Sequence, residues 1–189
     1  MPFASRHRSG RGGARGFTYL ELIVVIIIIS TLFLFAVDRL LRLRVQAEAA
    51  RLAYTIGGLE VALSMQMAEM AARGEFHRLP RLAGKNPMDW LQQPPENYAG
   101  VVDSVEGLTL EPGKWVFDRR RGELVYRVRY AEYFQPEQGL STNVRLKVLL
   151  VFADKNGNGR FERPPDDLYG VRLQNLTPYR WLEEAKNSG

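Results

Sequence analysis

The chain is 189 residues long, enough for one domain of ordinary size plus an anchor. It contains no cysteine, which excludes a disulfide framework, a thiolate nucleophile and a zinc–thiolate site. The formal net charge is +5, but Arg6, Arg8, Arg11 and Arg15, opposed by no acid in residues 1–16, supply four of those charges. The remainder is nearly neutral, which argues against a nucleic-acid partner.

Residues 1–16 are rich in Arg, Gly and Ser and carry no core-forming pattern. Leu22 to Val37 is then apolar except for Ser30 and Thr31. Counted from Phe17, the stretch reaches 21 residues, and a spanning helix needs about 20. The β-branched run Ile23 to Ile29 has strand propensity in water, but in lipid a lone segment satisfies its backbone only as a helix. A cleaved secretory signal would end at a small-x-small site, whereas this run ends at Asp38-Arg39-Leu40-Leu41-Arg42. Arginines flank both ends, so the positive-inside rule returns a near tie for orientation. Glu21 is the anomaly: a carboxylate near one interface, either solvated there or awaiting a positive partner from another chain.

Beyond the span, Val45, Ala49, Leu52, Ile56, Leu59, Leu63, Met67 and Met70 recur every three or four residues, one face of an α-helix. Glu48 and the other charged residues mostly fall off this face. The pattern predicts one helix from Phe17 to Arg73, roughly 85 Å long at 1.5 Å per residue. Its first half is apolar all round and its second half is amphipathic. Gly57-Gly58 invites a bend or a close packing approach, and Gly74 is a stop. Glu75 to Gly113 reads as an irregular connector, with a helical turn starting at Asn86 and with Trp90, Leu91, Tyr98 and Val101 pinning it to the domain.

From Lys114 the period falls to two. Trp115 to Asp118 is a short strand, Arg119 to Gly122 a turn, and Glu123 to Tyr130 an alternating strand. Leu124, Tyr126, Val128 and Tyr130 share one face, with Val125, Arg127 and Arg129 on the other. Asn143 to Ala153 reads as the most buried strand, and Leu168 to Leu173 as a fourth. Hairpin-length connections imply an antiparallel sheet, whose inner face the amphipathic half-helix covers.

Chemistry-bearing patterns are sparse. The histidines are His7 and His77, and no HExxH, GxSxG, P-loop or GxGxxG pattern is present. Asp154, Asn156 and Asn158 supply oxygens at alternate positions, with Gly159 at the sharp turn and the Arg160 carbonyl next, as in a calcium loop. The place of the bidentate Glu is taken by Pro165, with Asp166 and Asp167 just after it. Two readings stand: a weak calcium site completed by those aspartates, or a hairpin turn built on Asn156-Gly157 and Asn158-Gly159. Arg119-Arg120-Arg121 reads as a solvated hairpin tip, with a DNA contact as the competing reading.

The residues Gly16-Phe17-Thr18-Tyr19-Leu20-Glu21-Leu22-Ile23-Val24-Val25 resemble the signature of type IV pilins and type II secretion pseudopilins. The resemblance covers about a fifth of the chain, and the long helix extends it. It implies cleavage between Gly16 and Phe17 by a prepilin peptidase, N-methylation of Phe17, and a leader on the cytoplasmic side. It further implies that the Phe17 ammonium of one subunit neutralises Glu21 of a neighbour during assembly. Other pilin or pseudopilin subunits and an inner-membrane assembly platform are the partners it implies. The location is the bacterial inner membrane with the C-terminal part in the periplasm, and then a pilus or pseudopilus. Asp38 departs from the pattern, standing where many pilins carry a kinking proline. Some pseudopilins hold calcium in a late loop, which the Asp154 segment resembles loosely. The stretch Asn86 to Gly100 is similar to one in minor pilin-like proteins of mannose-sensitive haemagglutinin-type pilus clusters.

The expected architecture is α+β and type IV pilin-like: a leader (1–16), a spanning segment (17–38), an amphipathic continuation (39–73), a connector (74–113) and an antiparallel sheet domain (114–189). The expected role is structural rather than enzymatic. A single-span protein whose exported domain binds a ligand or DNA without polymerising is the alternative.

Overall fold

The computed structural model describes residues 17–139 and 141–182. It divides at Arg42/Leu43 into two units, Met1–Arg42 and Leu43–Gly189. One helix, α1 (Tyr19–Ala72), contributes to both. Seven strands follow: β1 (Tyr98–Val102), β2 (Trp115–Asp118), β3 (Glu123–Arg127), β4 (Phe134–Pro136), β5 (Asn143–Ala153), β6 (Asp167–Asn175) and β7 (Tyr179–Trp181). The class is therefore α+β, as expected.

In the first unit, Thr18 caps the helix: its hydroxyl accepts the Glu21 amide at 3.2 Å, and its carbonyl accepts the Leu22 amide at 3.1 Å. Every residue from Phe17 to Val37 is exposed. The helix is long and apolar enough to cross a membrane.

In the second unit the helix is amphipathic, and Val45, Leu52, Leu59 and Leu63 of the predicted stripe are buried. Leu52 and Leu59 enter a core with Trp115 and Phe117 of β2, Leu124 and Tyr126 of β3, and Val144 and Leu146 of β5. The register explains why these residues share a face: Trp115 lies opposite Tyr126 and Tyr126 opposite Val144, while Phe117 lies opposite Leu124 and Leu124 opposite Leu146. Further along the helix, Leu63 packs with Leu79, Leu82, Val148, Leu168 and Val171.

The larger sheet runs β1-β2-β3-β5-β6 and is mixed, which corrects the antiparallel expectation. β1 pairs in parallel with β2, from a connector expected to hold a helical turn at Asn86 but no strand. Gly100, at φ +96, lies where the pairing register shifts between Tyr98 and Val101, and no polar residue in Tyr98–Val102 marks an alternation in the sequence. The rest of the connector follows expectation in part. Asn86 caps the turn Pro87–Trp90 by accepting the Met88 amide at 3.2 Å. Leu91 and Tyr98 pack on the main core and Trp90 on the second cluster, whereas Val101 is exposed.

β2 and β3, not β5, are the most buried strands. Their second face is covered by a loop that brings Val105 and Leu110 onto Val116 and Val125. Val125, expected on a solvent-facing side, is therefore fully buried. β5 instead sends Arg145 and Lys147 to Glu123, at 3.0 and 4.0 Å. A two-stranded sheet of β4 and β7 completes the unit, with Phe134 packed on Tyr179 and Trp181 at centroid distances of 4.9 and 5.5 Å.

Candidate functional site

Gly16, on the leader side of the expected cleavage point, lies outside the described residues, as does His7. Phe17 is 70% exposed and precedes the helix. Glu21 occupies the first turn of α1, where a carboxylate is favoured by the positive end of the helix dipole. Its backbone amide is used by Thr18, while its side chain has no ion-pair or hydrogen-bond partner among the described residues. The acid thus heads a long apolar surface with no compensating charge paired to it among the described residues.

The Asp154 loop is closed by its own amides. The Asp154 carboxylate accepts from Gly157 at 2.7 Å, Gly159 at 2.7 Å and Asn158 at 3.2 Å. The Asn156 and Asn158 side-chain oxygens accept the amides of Asn158 and Arg160. Asp166 does fold back: buried, it accepts the Lys155 and Glu162 amides at 3.0 and 2.9 Å. Asp167 instead pairs with Lys155 at 2.8 Å. Among the described residues, no three His, Cys, Asp or Glu side chains converge into a metal-holding group. The bonds made by Asp154, Asn156 and Asn158 fit the hairpin-turn reading, and the return of Asp166 onto the loop is what the calcium reading requires.

The arginine run is partly neutralised. Arg119 pairs with Asp103 at 3.2 Å and Arg121 with Glu106, leaving Arg120 as the arginine of this exposed tip without an ion pair among the described residues. Beneath it, Asp118 is fully buried and accepts the Val105 and Arg121 amides at 3.0 and 2.9 Å. Burial alone would raise its pKa. The amides of Val105, Arg121 and Arg120, with the Arg121 guanidinium, bring it below the usual carboxylate value. His77 is exposed in the 3₁₀ turn Phe76–Leu82.

Glu48 is the residue that sequence reasoning misplaced. It is buried under the sheet and accepts three bonds: from the Tyr126 hydroxyl at 2.8 Å, the Arg129 amide at 2.7 Å and the Tyr130 amide at 3.1 Å. The signal was present, since Val45, Glu48, Leu52, Thr55, Leu59 and Ala62 alternate spacings of three and four and are all buried. Comparison with family models, curated proteins and solved structures returns no match.

Proposed function

We propose that the chain is a structural pilin-like subunit, a minor pilin or pseudopilin, with no reaction of its own. The observation that carries this reading is Glu21, five residues beyond Gly16 and unpaired among the described residues, at the head of an apolar stretch exposed from Phe17 to Val37. A lipid bilayer covers such a surface in the precursor, and neighbouring helices cover it in a filament. The prepilin peptidase cuts after Gly16, and the new Phe17 ammonium of one subunit meets Glu21 of another. Pairing offsets the cost of a lone charge in an apolar environment. The second unit, in this reading, is carried in the periplasm and then on the filament surface.

Mass spectrometry of the mature N-terminus is the direct test: a methylated Phe17 start is expected, and an intact Met1 overturns the proposal. A second reading draws on the Thr18 cap. Thr18-Tyr19-Leu20-Glu21 has the spacing of a capping box, and Glu21 then serves only to start the helix of a non-polymerising anchor. Glu21→Gln separates the two, because glutamine preserves the box and removes the charge. Loss of filament incorporation supports the assembly role, and normal incorporation supports the cap.

A further inference from the structure

The second unit holds a cation-lined groove for which subunit assembly supplies no use. Its first wall is the helix face carrying Arg44, Glu48, Arg51 and Tyr54. Its second wall is formed by Asn97, Gly113, Lys114 and Arg129. Two adjoining clefts, of about 640 and 470 Å³, share Arg51, Asn97, Gly113 and Arg129.

Three features make this more than a charged surface. First, Arg44, Arg51, Lys114 and Arg129 have no side-chain hydrogen-bond or ion-pair partner among the described residues. Second, the nearest acid is already committed: Glu48 spends its carboxylate on Tyr126 and on the amides of Arg129 and Tyr130. Glu96, the other lining acid, is exposed at the rim, so the lining keeps an excess of positive charge. Third, the Arg129 guanidinium lies against the backbone of Gly113, which is itself held in place. Gly113 has φ +82, donates to the Arg127 carbonyl at 2.6 Å and accepts from Asn97 Nδ2 at 2.7 Å. A Cβ at Gly113 would stand 2.8 Å from an Arg129 guanidinium nitrogen, so that guanidinium lies directly against the glycine at the groove.

We propose that this groove is an oxyanion-binding site, taking a carboxylate- or phosphate-bearing ligand between Arg51 and Arg129, with Lys114 and Arg44 extending the positive field. Guanidinium groups match the planar fork of a carboxylate and two oxygens of a phosphate, and their donors here are unspent. The site does not depend on whether the chain polymerises.

The test is calorimetric titration of the full chain in zwitterionic detergent at low ionic strength, with citrate as the carboxylate probe and inorganic pyrophosphate as the phosphate probe. At least one is expected to bind with Kd at or below about 1 mM, weakening as salt is added. Whichever binds more tightly identifies the ligand class. Arg51→Gln and Arg129→Gln are each expected to weaken binding about tenfold, the loss of a charge-assisted bond. Neither should lower the melting temperature by more than a degree or two, because neither side chain has an internal partner. Arg120→Gln, at the hairpin tip, should leave binding unchanged. Absence of binding by both probes, or equal weakening by Arg120→Gln and Arg129→Gln, overturns the proposal.

Discussion

The Tyr126 hydroxyl donates a 2.8 Å hydrogen bond to the Glu48 carboxylate across 78 residues of sequence. The same carboxylate takes the consecutive amides of Arg129 and Tyr130 where β3 ends. One helix side chain therefore fixes both the register of the helix against the sheet and the point at which the strand turns away. Glu48→Ala leaves the buried Tyr126 hydroxyl and two part-buried amides without this acceptor, and a loss of roughly 3 kcal/mol is expected. Tyr126→Phe removes one bond and is expected to cost about 1 kcal/mol. Denaturation of the full chain in detergent, run as a double-mutant cycle, should show the pair to be coupled.

Alkaline stability should report the same contact. Burial first, and then the hydrogen bond and charge of Glu48, raise the Tyr126 pKa, while Arg129 and Arg51 act in the opposite direction. The folded state favours the neutral phenol, so its contribution is complete below the unfolded value of about 10 and is lost as pH rises beyond it. Melting temperatures measured across that range should fall more steeply for the wild type than for Tyr126→Phe.

Acid acts through Asp118. Its folded pKa is lowered, so its contribution is present above the unfolded value of about 3.9 and is lost as pH falls through the folded value. Asp118→Asn should cost about 2 kcal/mol at neutral pH and flatten the acid limb of the stability profile. Hydrogen exchange should rise at one of the two amides bound to Asp118, Val105 or Arg121, because asparagine keeps one acceptor oxygen and turns an NH2 toward the other.

Glycine substitutions should differ in sign. Gly122 has φ +62, and a Cβ there would lie 2.9 Å from the Gly84 carbonyl oxygen. Gly122→Ala is expected to destabilise by roughly 1–3 kcal/mol. Gly57 and Gly58 are helical, with nothing within 4 Å of an added Cβ, so no neighbour among the described residues requires them. Gly57→Ala or Gly58→Ala should stabilise the isolated chain by about 0.5–1 kcal/mol each, checked by thermal melting.

The apolar run, the amphipathic stripe and the alternating strands were all legible as periodicity. Burial of one face imposes a spacing of three and four on a helix and of two on a strand, whatever the rest of the chain does. The predicted strand Asn143 to Ala153 accordingly matches β5 residue for residue. Glu21 stood out equally plainly as an acid bordering a long apolar stretch, with a solvated carboxylate and one awaiting a partner both compatible with its position.

What periodicity did not disclose depended on neighbours distant in sequence. β1 exists because β2 offers it a parallel edge, and the three-residue strands β4 and β7 exist because each supplies the other's partner. Val125 is buried because the Val105–Leu110 loop returns over the sheet. Glu48 lies inside because Tyr126 and two strand-end amides offer it donors, and a charge goes where its hydrogen bonds are made. Local spacing determined which faces were apolar. Long-range pairing decided which polar groups those faces enclosed, since a buried carboxylate is tolerated only where partners from elsewhere in the chain converge on it.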